Sequence, residues 1–221
     1  MFGDAYNKAT NKLSPVVTTY TNGVNVQAST DDNLVVAPGT TGFMTFSVSG
    51  TAEVLSAITV KVATDYKDVT LTKGTGASAL VYNPIVWTLS KTVTSAEGGE
   101  ATTQLATGTL AQIANAINDE TTGVCNNASI KPNESVANTT YTLSWEWKFT
   151  GSTVPTNFGI SADEADTILG LSADEANTDA IDAYKAIFDA KYGEDAFDSY
   201  TAATTVSFNL TITVKQIQEE A

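Results

Sequence analysis

Apolar and polar side chains alternate twice within residues 36–63. Met44, Phe46 and Val48 are separated by Thr45, Ser47 and Ser49, and Ile58, Val60 and Val62 alternate with Thr59, Lys61 and Ala63. A period of two gives a strand one face to bury, so two adjacent β-strands are predicted here. Ser49, Gly50 and Thr51 supply turn chemistry between them, and Pro38 with Gly39 ends an earlier extended run over residues 34–37. The same alternation returns in Tyr141, Leu143, Trp145, Trp147 and Phe149, the most aromatic strand of the chain and the predicted centre of a core. It returns without fault in Val206, Phe208, Leu210, Ile212 and Val214, which predicts a last strand deep in a sandwich. Shorter strands are expected over residues 67–73, with Val69 and Leu71, and over residues 79–93, where Pro84 argues against one unbroken central strand. Trp87 and Leu89 should face the core. Asn22-Gly23, followed by Val24 and Val26, is a hairpin turn of the primed type.

Two stretches switch to the helical period. In TLAQIANAIND, Leu110, Ile113, Ala114 and Ile117 share one face of a helix that needs a sheet to lie on. A small duplication, ISADEADT from Ile160 and LSADEANT from Leu171, places Ser161 three residues before Glu164 and Ser172 three before Glu175. Both are capping boxes, so two helices should start here. The second would run to about Tyr192 on Ile181, Tyr184, Ile187, Phe188 and Tyr192, with Gly193 as its stop. Residues 121–138 read as a polar loop around Cys125. The sum is a mainly β chain: a jelly-roll-like antiparallel β-sandwich with helices covering its edges and loops. One domain over residues 15–221 is expected, with a helical insertion at about 161–193. Residues 1–14 are sparsely apolar, with Phe2, Tyr6 and Leu13 as their only large apolar groups, and make a poor strand by themselves.

Charge and composition narrow the partners. The formal charge is -14, without a block of Lys or Arg, which argues against nucleic acid and anionic membrane and for protein partners. There is no histidine, which removes the Ser-His-Asp triad, the Cys-His pair and the HExxH zinc motif together. Asp163, Glu164 and Asp166, like Asp174, Glu175 and Asp179, sit where first helical turns favour negative charge. No EF-hand loop is present, and the GTG at Gly74 to Gly76 is a turn, not a phosphate cradle. No cofactor or metal is expected. Cys125 is the only cysteine, so an intrachain disulfide is impossible; it reads as an unpaired thiol, with a bridge to a second chain as the alternative. Asn127, Asn133, Asn138 and Asn209 each begin a glycosylation sequon, three of them within one polar stretch. No apolar run approaches the ~20 residues of a membrane-spanning helix.

Three segments carry a family resemblance. VAPGTTGFMTFSVSGTAEV, from Val36, YTLSWEWKF, from Tyr141, and EADTILG, from Glu164, resemble in order and spacing the TasA and camelysin family of secreted subunits of bacterial extracellular fibres. The resemblance implies secretion to the cell surface or matrix, with Met1 following a cleavage site. It implies that residues 1–14 leave their own subunit and complete a sheet in the next, with Phe2, Ala5, Tyr6, Ala9 and Leu13 as donor residues. The implied partner is the chain itself, in a head-to-tail homopolymer, with other matrix proteins as further candidates. The camelysin branch has been described as metallopeptidases; without histidine such a site would need carboxylates alone, which zinc rarely accepts, so no enzyme is expected. Two other readings compete: a camelysin-like surface peptidase, and a monomeric adhesin or glycan-binding sandwich using residues 121–138 and the helical insertion.

Overall fold

A computed structural model of the chain describes residues 5–7, 12–14, 33–35, 38–95, 97–119, 123–148, 150–173 and 178–217. In chain order the strands are β1 (Ala5–Asn7), β2 (Lys12–Ser14), β3 (Asn33–Val35), β4 (Thr41–Thr51), β5 (Ser56–Val62), β6 (Thr70–Lys73), β7 (Leu80–Tyr82), β8 (Ile85–Thr94) and β9 (Glu100–Gly108). Helix α1 (Leu110–Asn118) follows, then β10 (Asn127–Ile130) and β11 (Ser135–Trp147). Helices α2 (Ala162–Ala173) and α3 (Thr178–Tyr192) precede β12 (Tyr200–Ala203) and β13 (Leu210–Gln216). The chain is therefore mainly β and its sheets are antiparallel. It divides into two compact units, each assembled from three separate stretches of chain.

The unit formed by residues 43–66, 86–145 and 208–221 is a β-sandwich. One sheet has the order β4-β11-β8-β9 and the other β10-β5-β13. Their apolar faces hold Ile58, Val60 and Val62 of β5, Trp87 and Leu89 of β8, and Tyr141, Leu143 and Trp145 of β11, all buried. The polar partners of that alternation face outward, where hydroxyls pair across strands: Ser47 with Thr140 at 3.1 Å, and Thr92 with Thr102 at 2.8 Å. Helix α1 lies against β5 of one sheet and β9 of the other. It buries Leu110, Ile113, Ala114 and Ile117, the four residues that its period singles out. Its start is fixed by a capping box between Thr109 and Gln112. Its end serves β5, because the Asn118 side chain accepts from the Val62 N–H at 2.8 Å and donates to the Val62 carbonyl at 3.0 Å. Asn126 accepts from the Val60 N–H at 2.9 Å. Side-chain amides thus continue the ladder where the β10 pairing stops.

The other unit, residues 1–42, 67–85 and 146–207, has a sheet of order β12-β6-β7 under α2, and a small sheet β2-β1-β3. Val69, Leu71, Tyr82, Phe158, Ile168, Leu169 and Phe188 form its core. Ser161 and Glu164 make the expected capping box: the Glu164 N–H donates to Ser161 Oγ at 3.3 Å, and the Ser161 N–H to the Glu164 carboxylate at 2.9 Å. Gly193, with φ at 113°, ends α3, its N–H donating to the Asp189 carbonyl at 2.8 Å.

Four expectations change. β4 and β5 do not pair; β4 continues through Ser49, Gly50 and Thr51, and the chain then crosses to the other sheet. Residues 121–138 are not one polar loop, because β10 forms within them and pairs with β5 through Asn127 and Ile130. Ser172 lies in the last turn of α2 and does not start a helix, since nothing between Gly170 and Ala173 breaks the first one; Glu175 falls outside the described residues. The fourth is β13, which among the described residues is an edge strand and whose apolar face is not deep in the sandwich. The Asn22-Gly23 hairpin and Phe149 also fall outside the described residues.

Candidate functional site

Strand β13 pairs along its full length with β5, and partners directly opposite one another share a sheet face: Leu210 with Val62, Ile212 with Val60, Val214 with Ile58. The β5 residues of these pairs are core, with Val60 wholly buried. Their neighbours are not, for Ile212 is 41% and Val214 66% exposed. The apolar face of the sheet therefore runs on past the part that the sandwich covers.

The backbone is open along the same line. The Ala63 N–H donates to the Asn209 carbonyl at 2.9 Å and the Ile217 N–H to the Leu55 carbonyl at 2.8 Å, so odd-numbered residues of this ladder form the hydrogen-bonded pairs with β5. The N–H and carbonyl groups of Leu210, Ile212, Val214 and Gln216 point the other way. Among the described residues no strand pairs there. The contrast with the opposite edge of β5 is direct, since Asn118 and Asn126 fill that one.

Among the described residues the other sheet ends on β4, an edge strand of eleven residues. Met44 and Phe46 are half-buried on its inner side, where Phe46 stacks on Tyr141 with ring centroids 4.9 Å apart. Phe43, on the outer side, is 61% exposed.

The expected donor residues are partly placed. Ala5 and Tyr6 lie in β1, which pairs over three residues with β2 and over three with β3, and Leu13 lies in β2. Phe2 and Ala9 fall outside the described residues. Of the sequon residues, Asn127 is exposed on β10, Asn133 is exposed in a turn with φ at 61°, Asn138 lies in β11 and Asn209 is exposed beside β13.

The acidic residues of α2 do packing work. The Tyr82 hydroxyl donates to Asp166 at 2.9 Å and fastens α2 to β7. Burial pushes the Asp166 carboxyl up to about 6, against hydrogen bonds from Tyr82 and Trp147 that favour its charged form, with Asp163 adding to the rise. Glu164 behaves oppositely. Burial pushes its carboxyl up, but donors from Lys191 and Tyr192, each at 2.6 Å, and from Ser161 together outweigh that and hold it at about 2. These bonds tie α2 to α3. Cys125 is buried, and desolvation raises its thiol to about 12, which makes it a poor nucleophile. Among the described residues, no three His, Cys, Asp or Glu side chains converge as a metal site would require.

The sequence signals strands β4 and β13 but not their exposure. A period of two reports which face is apolar, and is silent on whether a second sheet covers it. Comparison with models of known protein families, with curated proteins and with solved structures finds no match, so function has to be read from this geometry.

Proposed function

We propose that the chain is a structural subunit of an extracellular filament, of the TasA and camelysin kind, that assembles head to tail by lending its N-terminal segment to an open sheet edge of the next copy. One observation carries the reading: β1 holds its own chain by three residue pairs on each side, while β4, eleven residues long, has one edge that no strand pairs with among the described residues. A segment that exchanges a short ladder for a longer one gains backbone hydrogen bonds, and half-buried Met44 and Phe46 offer apolar surface beside them. Donation is heterologous. The contact does not close on itself, so its product is a filament. The net charge of -14 keeps free subunits apart, and assembly is expected to respond to salt and pH.

Electron microscopy and sedimentation of the full chain, beside a deletion of residues 1–12, test this. Filaments from the full chain and none from the deletion are expected. If the full chain forms none across varied salt and pH, or the deletion forms them equally well, strand donation is wrong.

A further inference from the structure

We propose that β13 is the seam of a two-fold dimer, in which it pairs antiparallel with β13 of a second copy and joins two three-stranded sheets into one of six. The proposal rests on three features of this edge. Half-buried Leu210 and exposed Ile212 and Val214 carry both the apolar side chains of this edge and the backbone groups that face away from β5. An incoming strand that hydrogen-bonds these residues therefore also sets its own side chains against theirs. Side chain and ladder demand the same partner.

Second, the strand complements itself. In Leu210-Thr211-Ile212-Thr213-Val214 the sequence reads alike in both directions, apolar at the centre and two residues out, threonine between. Centring a two-fold axis on Ile212 sets Ile212 against its own copy, Leu210 against Val214, Thr211 against Thr213 and Asn209 against Lys215. Every apolar residue meets an apolar one, and the single charge of the strand meets an amide. Shifting the axis to Thr213 would instead place Gln216 opposite Leu210. Like charges directly opposite each other would count against such a seam, and this register has none.

Third, the stretch from Leu210 to Val214 carries none of the usual sequence protection of an edge. Natural edge strands avoid pairing through proline, bulges or inward-pointing charge. From Leu210 to Val214 the strand has no proline, glycine or charge, and its register with β5 is continuous. The contact is isologous and closes at two copies, which sets it apart from head-to-tail donation. It holds whether or not the chain also forms filaments.

Cysteine trapping in the full chain reads the seam directly, because the native Cys125 is buried. On the axis, Ile212→Cys would set two Cα atoms about 5.5 Å apart, within the span of a disulfide. Mild oxidation should give a covalent dimer on a denaturing gel. Thr213→Cys, one residue off the axis and on the opposite face, should give none. Adding Val214→Lys to Ile212→Cys should abolish the trapped dimer, and at 66% exposure Val214 tolerates a lysine without loss of fold. Absence of the Ile212→Cys dimer overturns the proposal, and so does equal trapping by Thr213→Cys. A dimer that traps only after residues 1–12 are deleted also overturns it, by giving the edge of the full chain to the donated segment. A chain that forms no filaments but traps at position 212 would leave the seam standing and remove strand donation alone.

Discussion

Two neighbouring carboxylates on α2 respond to acid in opposite senses. Asp166 has its folded-state value raised from 3.8 to about 6, so the folded chain binds this proton more tightly than the unfolded chain does. Its contribution is complete below the ordinary carboxylate range and is lost as pH rises through about 6. Glu164, lowered from 4.5 to about 2, contributes above its ordinary value and loses that as pH falls through about 2. Between pH 4 and 6 the slope therefore belongs mainly to Asp166. The melting temperature should fall over that interval by the order of a few degrees, and Asp166→Asn should flatten the fall. An unchanged slope in the variant, followed by circular dichroism, would refute this assignment. Gly108 makes a second case. Its φ of 143° is one that side chains rarely adopt, and an added Cβ would meet the Gln112 side chain that closes the α1 capping box. Gly108→Ala should cost about 1–3 kcal/mol in denaturant unfolding, while a loss below a few tenths would show that neither constraint acts.

Helix α1 shows what patterning conveys at the scale of an element. Its four apolar positions and its boundaries are legible in TLAQIANAIND, and all four residues are buried. Ile113→Ala should lower stability by about 2–5 kcal/mol, because the helix touches a strand from each sheet and the hole cannot be refilled from one side. A cost under about 1 kcal/mol, from the shift in denaturant midpoint, would mean that the helix is not part of the core. Pro84 was equally informative: β7 ends at Tyr82, β8 begins at Ile85, and the two belong to different sheets. Strand β13 is the counter-example. Its alternation is the cleanest in the chain, yet its face is half open, because alternation is a property of one strand and burial is a property of what stacks on it. The β4 to β5 connection misleads for a related reason, since Ser-Gly-Thr reads as a turn while β4 runs on through it, with Gly50 at a φ of 147°, and the chain crosses only after Thr51.

For the whole molecule, sequence pattern was enough for the class, antiparallel and mainly β, but not for the assignment of strands to sheets. That assignment depends on pairs far apart in sequence, such as Leu210 with Val62, which no local signal encodes. The same distance leaves the candidate site half legible. Residues 1–14 stand out through their poverty in apolar groups, whereas the open edge of β13 emerges only once β5 is known to be its sole neighbour among the described residues.

That long-range pairing also governs how the protein comes into being. The sheet around β5 cannot be finished until residues 210–216 have arrived, about 150 residues after β5 itself, and closing a loop of that size is an entropic barrier that local contacts do not offset. A chain synthesised from its N-terminus therefore keeps Ile58, Val60 and Val62 without their β13 neighbours through most of its production. Folding is expected to be slow and to follow synthesis, and until β13 arrives the β5 edge is the part of the chain most exposed to wrong pairing.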